Sequence, residues 1–164
     1  MKNINILNFG LIEYVNRWYN LDENCFTGGS IMEKSLVLIK PDAVRKGLIG
    51  KVISKYEDNG LKIIALKMER ISEDFASRHY EEHIGKAFYE PLIRFITSGP
   101  LCALILEGDN AIERIRNING STNPEVAKEG TIRRMYAENK TENCVHASDS
   151  KESAKREINL WFGK

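Results

Sequence analysis

The chain is 164 residues long, enough for one domain with a single core and too short for two large ones. Hydrophobic residues make up 42% and charged residues 29%, which excludes a disordered or fibrous chain. The formal net charge of +1 gives no global field for nucleic acid or an anionic membrane, so an anionic substrate has to be held by a local cluster of Lys and Arg.

Residues 1–31 differ in composition from the rest of the chain and close on "TGGS" just before Met32. Their apolar stretch "INILNFGLIEYV" is broken by Asn8, Gly10 and Glu13, and no run of about 18 apolar residues occurs anywhere, so neither a secretory leader nor a membrane span is expected. Glu13, Asp22 and Glu23 argue against a transit peptide. Residues 1–31 are read as an extension without an assigned role, and residues 32–164 as the domain. Cys25, Cys102 and Cys144 form an odd set at unrelated spacings, which suits a reducing cytosol and predicts no disulfide.

"SLVLIK", Ser35 to Lys40, is an apolar run stopped by Pro41, a buried strand with Lys40 at its mouth. Val44, Leu48, Val52 and Tyr56 recur every four residues and predict one helix from Ala43 to Tyr56, closed by Asn59-Gly60. "LKIIALKMERI" predicts a second strand. "SEDF" from Ser72 is read as a capping box opening a helix to about His83, followed by another from Ala87 to Thr97. "LCALILEG", Leu101 to Gly108, is a third strand, and Ala111 to Arg116 a short helix. Asn119 to Asn143 is rich in Gly, Asn, Pro and Thr and predicts a long irregular loop, a kind of segment that often carries function. "NCVHA" is a short last strand. Asp149 as N-cap with Glu152 three residues on opens a last helix whose apolar stripe is Ala154, Ile158, Trp161 and Phe162. Four strands alternating with helices suit an α+β sandwich of ferredoxin-like type, a four-stranded antiparallel sheet covered by helices.

Positions two apart on a strand share a face, so Cys144 and His146 are expected to point the same way. On the last helix Ser150, Ser153 and Glu157 share a face, and a Glu157 carboxylate bonded to one imidazole nitrogen would leave the other free, which is how a histidine becomes an oriented nucleophile. "HYEEH", His79 to His83, matches the H-x-x-E-H pattern of one class of zinc peptidases, with Glu82 as base. Cys144-Val145-His146 lacks a second ligand pair at zinc-like spacing. No Gly-rich phosphate loop is present, so bound phosphate needs side chains: Lys40, Arg116, Thr122, Arg133 and Arg134 are the candidates.

"LIKPDAV" at Leu38, "SGP" at Ser98, "GSTNP" at Gly120, "GTIR" at Gly130 and "NCVHASDS" at Asn143 together resemble the nucleoside diphosphate kinase family, in register from about Glu33 to the C-terminus. The resemblance implies the ferredoxin-like fold and a phosphoryl exchange between nucleoside triphosphates and diphosphates. It implies His146 as the nucleophile, with Glu157 and Ser148 orienting its ring. Lys40, Tyr80, Arg116, Thr122 and Arg133 would gather phosphate oxygens, and Asn143 with Lys40 would meet the ribose 3′-hydroxyl. Phe88, with Leu92 beside it, would lie under the base. Magnesium would ride on the nucleotide, and the protein would be a cytoplasmic homo-oligomer, tetramer or hexamer, with no need of nucleic acid or membrane. The chain departs from the family at Arg134, Met135 and Ala147, where a small residue, Asp and Gly are usual; Ala147 is expected to add backbone strain beside His146. Those departures motivate a catalytically silent nucleotide binder as the alternative, and a zinc hydrolase on His79, Glu82 and His83 is the remoter one.

Overall fold

The computed structural model describes residues 32–163. Residues 1–31 lie outside the described residues, and with them the reading of that segment as an extension.

The sheet has four strands, β1 (Met32–Ile39), β2 (Lys62–Glu69), β3 (Leu101–Asp109) and β4 (Val145–Ala147), in the spatial order β2-β3-β1-β4 with every neighbour antiparallel. This is the predicted ferredoxin-like α+β sandwich. The two central strands read as unbroken apolar runs because both of their faces are covered: Leu101 to Leu106 are all buried. Alternation then sorts the side chains into two cores. Val37, Ile39, Leu104 and Leu106 pack on one face with Val52, Tyr56 and Ile115, and Leu36, Leu38, Ala103 and Ile105 pack on the other with Ile93, Ile96 and Trp161. Each fully buried Leu or Ile contributes about 1.5–3 kcal/mol from leaving water.

The helices are α1 (Pro41–Arg45), α2 (Ile49–Glu57), α3 (Glu73–His79), α4 (Tyr89–Ile96), α5 (Ala111–Asn119), α6 (Ile132–Tyr136) and α7 (Lys151–Phe162). The predicted single helix from Ala43 to Tyr56 is two, because Gly47 takes φ +66, a left-handed turn that no continuous helix can hold. Ser72 does cap α3, its Oγ accepting the Phe75 N–H at 3.2 Å, but Phe75 occupies the position where a capping box has Glu or Gln, so only half of the box is formed. The helix stops at His79 and passes into a 3₁₀ turn, Glu81–His83. The cap of α7 is Ser150 and not Asp149: Ser150 Oγ accepts the Ser153 N–H at 3.0 Å, while Asp149 Oδ1 accepts the Ser153 hydroxyl at 2.6 Å. The long loop between α5 and β4 is more ordered than its composition suggests. It carries a 3₁₀ turn at Pro124–Val126 and the five-residue α6. Gly120 makes this possible: at φ +80 it lies so close to α6 that a Cβ there would sit 2.4 Å from Thr131 Oγ1.

Candidate active site

The site forms at the start of β4. The chain enters that strand through Cys144, whose φ of +68 places it in the left-handed region. Two bonds hold the turn: the Cys144 N–H donates to Asp42 Oδ2 at 2.9 Å, and the Lys40 N–H donates to the Cys144 carbonyl at 2.8 Å. The left-handed residue breaks strand alternation, so Cys144 packs in the same core as Val145 and does not share a face with His146 as expected. Burial, reinforced by the Asp42 carboxylate, pushes the Cys144 thiol up to about 12, which leaves it an inert core residue. His146, paired with Leu38, faces the opposite core.

The His146 side chain is 22% exposed, and its Nε2 lies 3.0 Å from Glu157 Oε1. The second carboxylate oxygen accepts the Ser148 hydroxyl at 2.6 Å, and Ser148 Oγ accepts the Leu36 backbone N–H at 3.2 Å. Burial pushes the Glu157 carboxyl up, but the bond from His146 and the Ser148 hydroxyl outweigh it and hold the group below its ordinary value. An ionised Glu157 can only accept, so Nε2 carries the imidazole proton and Nδ1 keeps the lone pair. An oriented imidazole results, with its basic nitrogen on the side away from the carboxylate.

Cations adjoin it. Lys40 is 5% exposed and donates through Nζ to Asn143 Oδ1 at 2.7 Å, while Asn143 Nδ2 donates to the Lys140 carbonyl at 2.8 Å. Burial, and after it the nearby Arg133 guanidinium, lower the Lys40 ammonium to about 8. Arg133 donates to the carbonyls of Gly120 at 2.7 Å and Val145 at 2.8 Å, which fixes its guanidinium beside the strand bearing His146. Arg133 is itself lowered by burial, with Arg116 among its near charges. Repulsion between the buried Lys40 and the partly buried Arg133 marks a place prepared for an anion. Arg116 stands exposed on α5 at a cavity of about 390 Å³ whose wall includes Glu33, Asp149 and Lys151. The residues lining that cavity do not include His146; on its wall Glu33 accepts the Ile112 N–H at 3.3 Å and pairs with Lys151 at 3.3 Å.

Tyr80 is buried, its ring 6.1 Å from that of His146 and its hydroxyl without a partner among the described residues. Thr122 is exposed between α5 and the Pro124–Val126 turn. Phe88, 50% exposed, stands against His83 with ring centroids 5.4 Å apart, and Leu92 is buried one helical turn on.

The zinc trio does not assemble. His79 is buried with Nδ1 accepting the Trp161 indole N–H at 3.2 Å, Glu82 is exposed and reaches Arg156 at 3.4 Å, and His83 Nδ1 lies 3.1 Å from Lys86 Nζ. Among the described residues, the cluster of donors close enough to consider for a metal is His79, His146 and Glu157, which shares one residue with the predicted trio. The departures also resolve. Arg134 pairs with Glu129 at 2.8 Å and donates to the Glu125 carbonyl at 3.2 Å, so it props the loop's 3₁₀ turn. Met135 is partly exposed. Ala147 pairs with Val37 in the sheet and is not among the positive-φ residues, so the expected strain is not there. Two contributors escaped the sequence reading. Asp42, inside "LIKPDAV", fixes the turn into β4, and the Trp161 indole, expected only as core, holds His79.

A doubly bonded carboxylate aiming one imidazole nitrogen outward, with Lys40 and Arg133 nearby on a ferredoxin-like sandwich, is the apparatus of an enzyme that moves an anionic group. The sequence model described as nucleoside diphosphate kinase matches residues 33–164. A nucleoside diphosphate kinase of Clostridium perfringens is 62% identical over 133 residues, covering 81% of this chain and 93% of that protein, and one of Saccharolobus islandicus is 49% identical over 134 residues, covering 82% and 97%. Among solved structures, the nucleoside diphosphate kinase of Aquifex aeolicus superposes with a TM-score of 0.78 at 40% identity over 80% of this chain and 95% of that one. A halophilic nucleoside diphosphate kinase from Halobacterium salinarum, in complex with CDP, gives 0.78 and 40% over 80% and 88%. The chain belongs to the nucleoside diphosphate kinase family and is a phosphotransferase.

Proposed function

We propose that the protein exchanges the terminal phosphoryl group between nucleoside triphosphates and diphosphates by a ping-pong route through a phosphohistidine at His146. The single observation that carries this is the bond of His146 Nε2 to a Glu157 carboxylate that also holds Ser148, which leaves Nδ1 as the nucleophile. In the first half-reaction the Nδ1 lone pair attacks the terminal phosphorus. The bond from that phosphorus to its bridging oxygen breaks, and the diphosphate leaves with the electron pair. His146 keeps its Nε2 proton and becomes a phospho-imidazolium whose charge the adjacent Glu157 pairs, so no proton has to move. A second nucleoside diphosphate reverses the step. Donor and acceptor are nearly the same shape and use one site in turn, which is why a covalent carrier is needed.

Phosphoryl transfer asks mainly for positioning and for neutralised oxygens. Lys40, Arg116, Arg133, Thr122 and Tyr80 supply the donors, Asn143 with Lys40 meets the ribose 3′-hydroxyl, and Phe88 with Leu92 stacks under the base. Stacking tolerates any base, so broad base acceptance is expected. Magnesium enters as part of the nucleotide substrate. The donor set suits this at Glu157, both of whose oxygens already accept protein hydrogen bonds; Asp42 Oδ2 and Asp149 Oδ1 each accept one as well, while the buried Asp42 Oδ1 has no partner among the described residues. Arg134 and Ala147, the departures that motivate a silent nucleotide binder, take structural places that leave the imidazole's geometry intact.

The reading includes a cytoplasmic homo-oligomer. The homo-oligomer is supported by the edge strand β2, which leaves Leu66 and Met68 half exposed; among the described residues no helix is long and apolar enough to cross a membrane. Whether four or six subunits assemble is decided by sedimentation. The function is tested by measuring exchange between ATP and a second nucleoside diphosphate: activity in the native chain and its loss in His146→Ala are expected, and full exchange without His146 would end the proposal.

A further inference from the structure

We infer that His79 is a further catalytic residue of this site, a neutral Nε2–H donor that binds an oxygen of the phosphoryl group while it is carried on His146. The inference rests on the phosphohistidine reading above. It starts from a tautomer. The indole of Trp161 has a hydrogen to give and nothing with which to accept, so the 3.2 Å contact fixes His79 Nδ1 as the acceptor and puts the imidazole proton on Nε2. The ring is also kept neutral. It is 2% exposed, and burial, then the neighbouring His146, lower its pKa to about 3.

This Nε2–H is a buried donor with no partner among the described residues. Such a group costs free energy, and native proteins rarely leave one unless another state of the molecule supplies its acceptor. The neighbouring ring suggests which state. The His79 ring meets the His146 ring nearly edge-on at 4.8 Å between centroids, and it meets the Tyr80 ring at 4.5 Å. The Tyr80 hydroxyl is the second buried, unpartnered donor at the same nucleophile. Both lack an acceptor, and both belong to rings beside the one that, on the phosphohistidine reading, carries a group with three anionic oxygens. The same fixed tautomer argues against a metal at His79, His146 and Glu157, since a metal would need a His79 lone pair that the Trp161 N–H already occupies.

The test uses the full chain. His79→Gln places an N–H₂ where Nε2 stands, His79→Asn places its amide where Nδ1 stands, and His79→Phe keeps a ring without a donor. All are compared by single-turnover phosphorylation with ATP and magnesium, with circular dichroism as the check on folding. Phe and Asn are expected to slow phosphoenzyme formation by on the order of a hundredfold with nucleotide KM little changed, and Gln to recover most of the rate. In the native chain, long-range proton–nitrogen spectra should show the His79 Nε2–H tautomer throughout, and its proton should move downfield when His146 is phosphorylated. Equal rates in the native, Phe and Asn proteins, or a His79 resonance that phosphorylation does not move, overturn the inference. Native protein that takes up no phosphoryl group overturns the phosphohistidine reading itself, and the inference with it.

Discussion

Replacing Glu157 by Gln removes one charge from a pair that the proposed mechanism needs only once His146 has become an imidazolium. At the observed 3.0 Å, unit charges at an effective dielectric of 20 attract by about 5.5 kcal/mol. The full amount is not lost. His146 is 22% exposed, so solvent screens part of the attraction, and a Gln carbonyl still accepts the Nε2–H as a neutral bond of about 1 kcal/mol. A net loss of about 3 kcal/mol remains, roughly a hundredfold in rate at 1.36 kcal/mol per decade. Ser148 can adapt to the change because its hydroxyl is free to turn and accept from the new amide. The fold is therefore expected to survive, with nucleotide KM little altered. Rapid-quench measurement of phosphoenzyme formation reads the effect directly. A Glu157→Gln protein that phosphorylates within threefold of the native rate would refute the reasoning, since the carboxylate would then not be pairing the charge.

The same geometry leads to three other outcomes. Gly120→Ala forces a Cβ against Thr131 at a position of φ +80, and is expected to destabilise the domain by more than about 2 kcal/mol in urea unfolding and to lower activity through the displaced Arg133. With Lys40 lowered to about 8, the free enzyme loses this cation as pH rises through that value, so kcat/KM should fall on the alkaline side near pH 8, a limb that Lys40→Arg removes or moves upward. His79 is neutral in the folded chain down to about pH 3 and takes up a proton near 6.5 when unfolded, so the unfolded state binds more protons in between. Stability should decline as pH falls from about 6.5 toward 3, and thermal melts in acid should show a shallower decline for His79→Gln.

Much of this was legible in the sequence because the central strands are buried on both faces and so announce themselves as apolar runs. "LCALILEG" and "SLVLIK" became β3 and β1 with small changes at their ends. The His146–Glu157 pairing was also legible, from an eleven-residue offset that carries a strand into the helix packed along it. What failed was local backbone geometry. Period four joined Ala43 to Tyr56 although Gly47 turns left-handed between them, and period two set Cys144 beside His146 although Cys144 is left-handed too. Such positions are decided by distant partners, here Asp42, and periodicity contains no term for them. The loop before β4 was underestimated for the same reason. Its order comes from Arg133 and Arg134 reaching carbonyls at Gly120, Glu125 and Val145, contacts that composition alone does not foretell.

The central claim is that a phosphoryl group rests on His146 between two nucleotides. Intact mass spectrometry at neutral to alkaline pH, where phosphohistidine survives, tests it after incubation with ATP and magnesium. The account predicts a gain of one phosphoryl group that vanishes on adding GDP and never appears in His146→Ala. No gain in protein that still binds nucleotide, or an undiminished gain in His146→Ala, would contradict it.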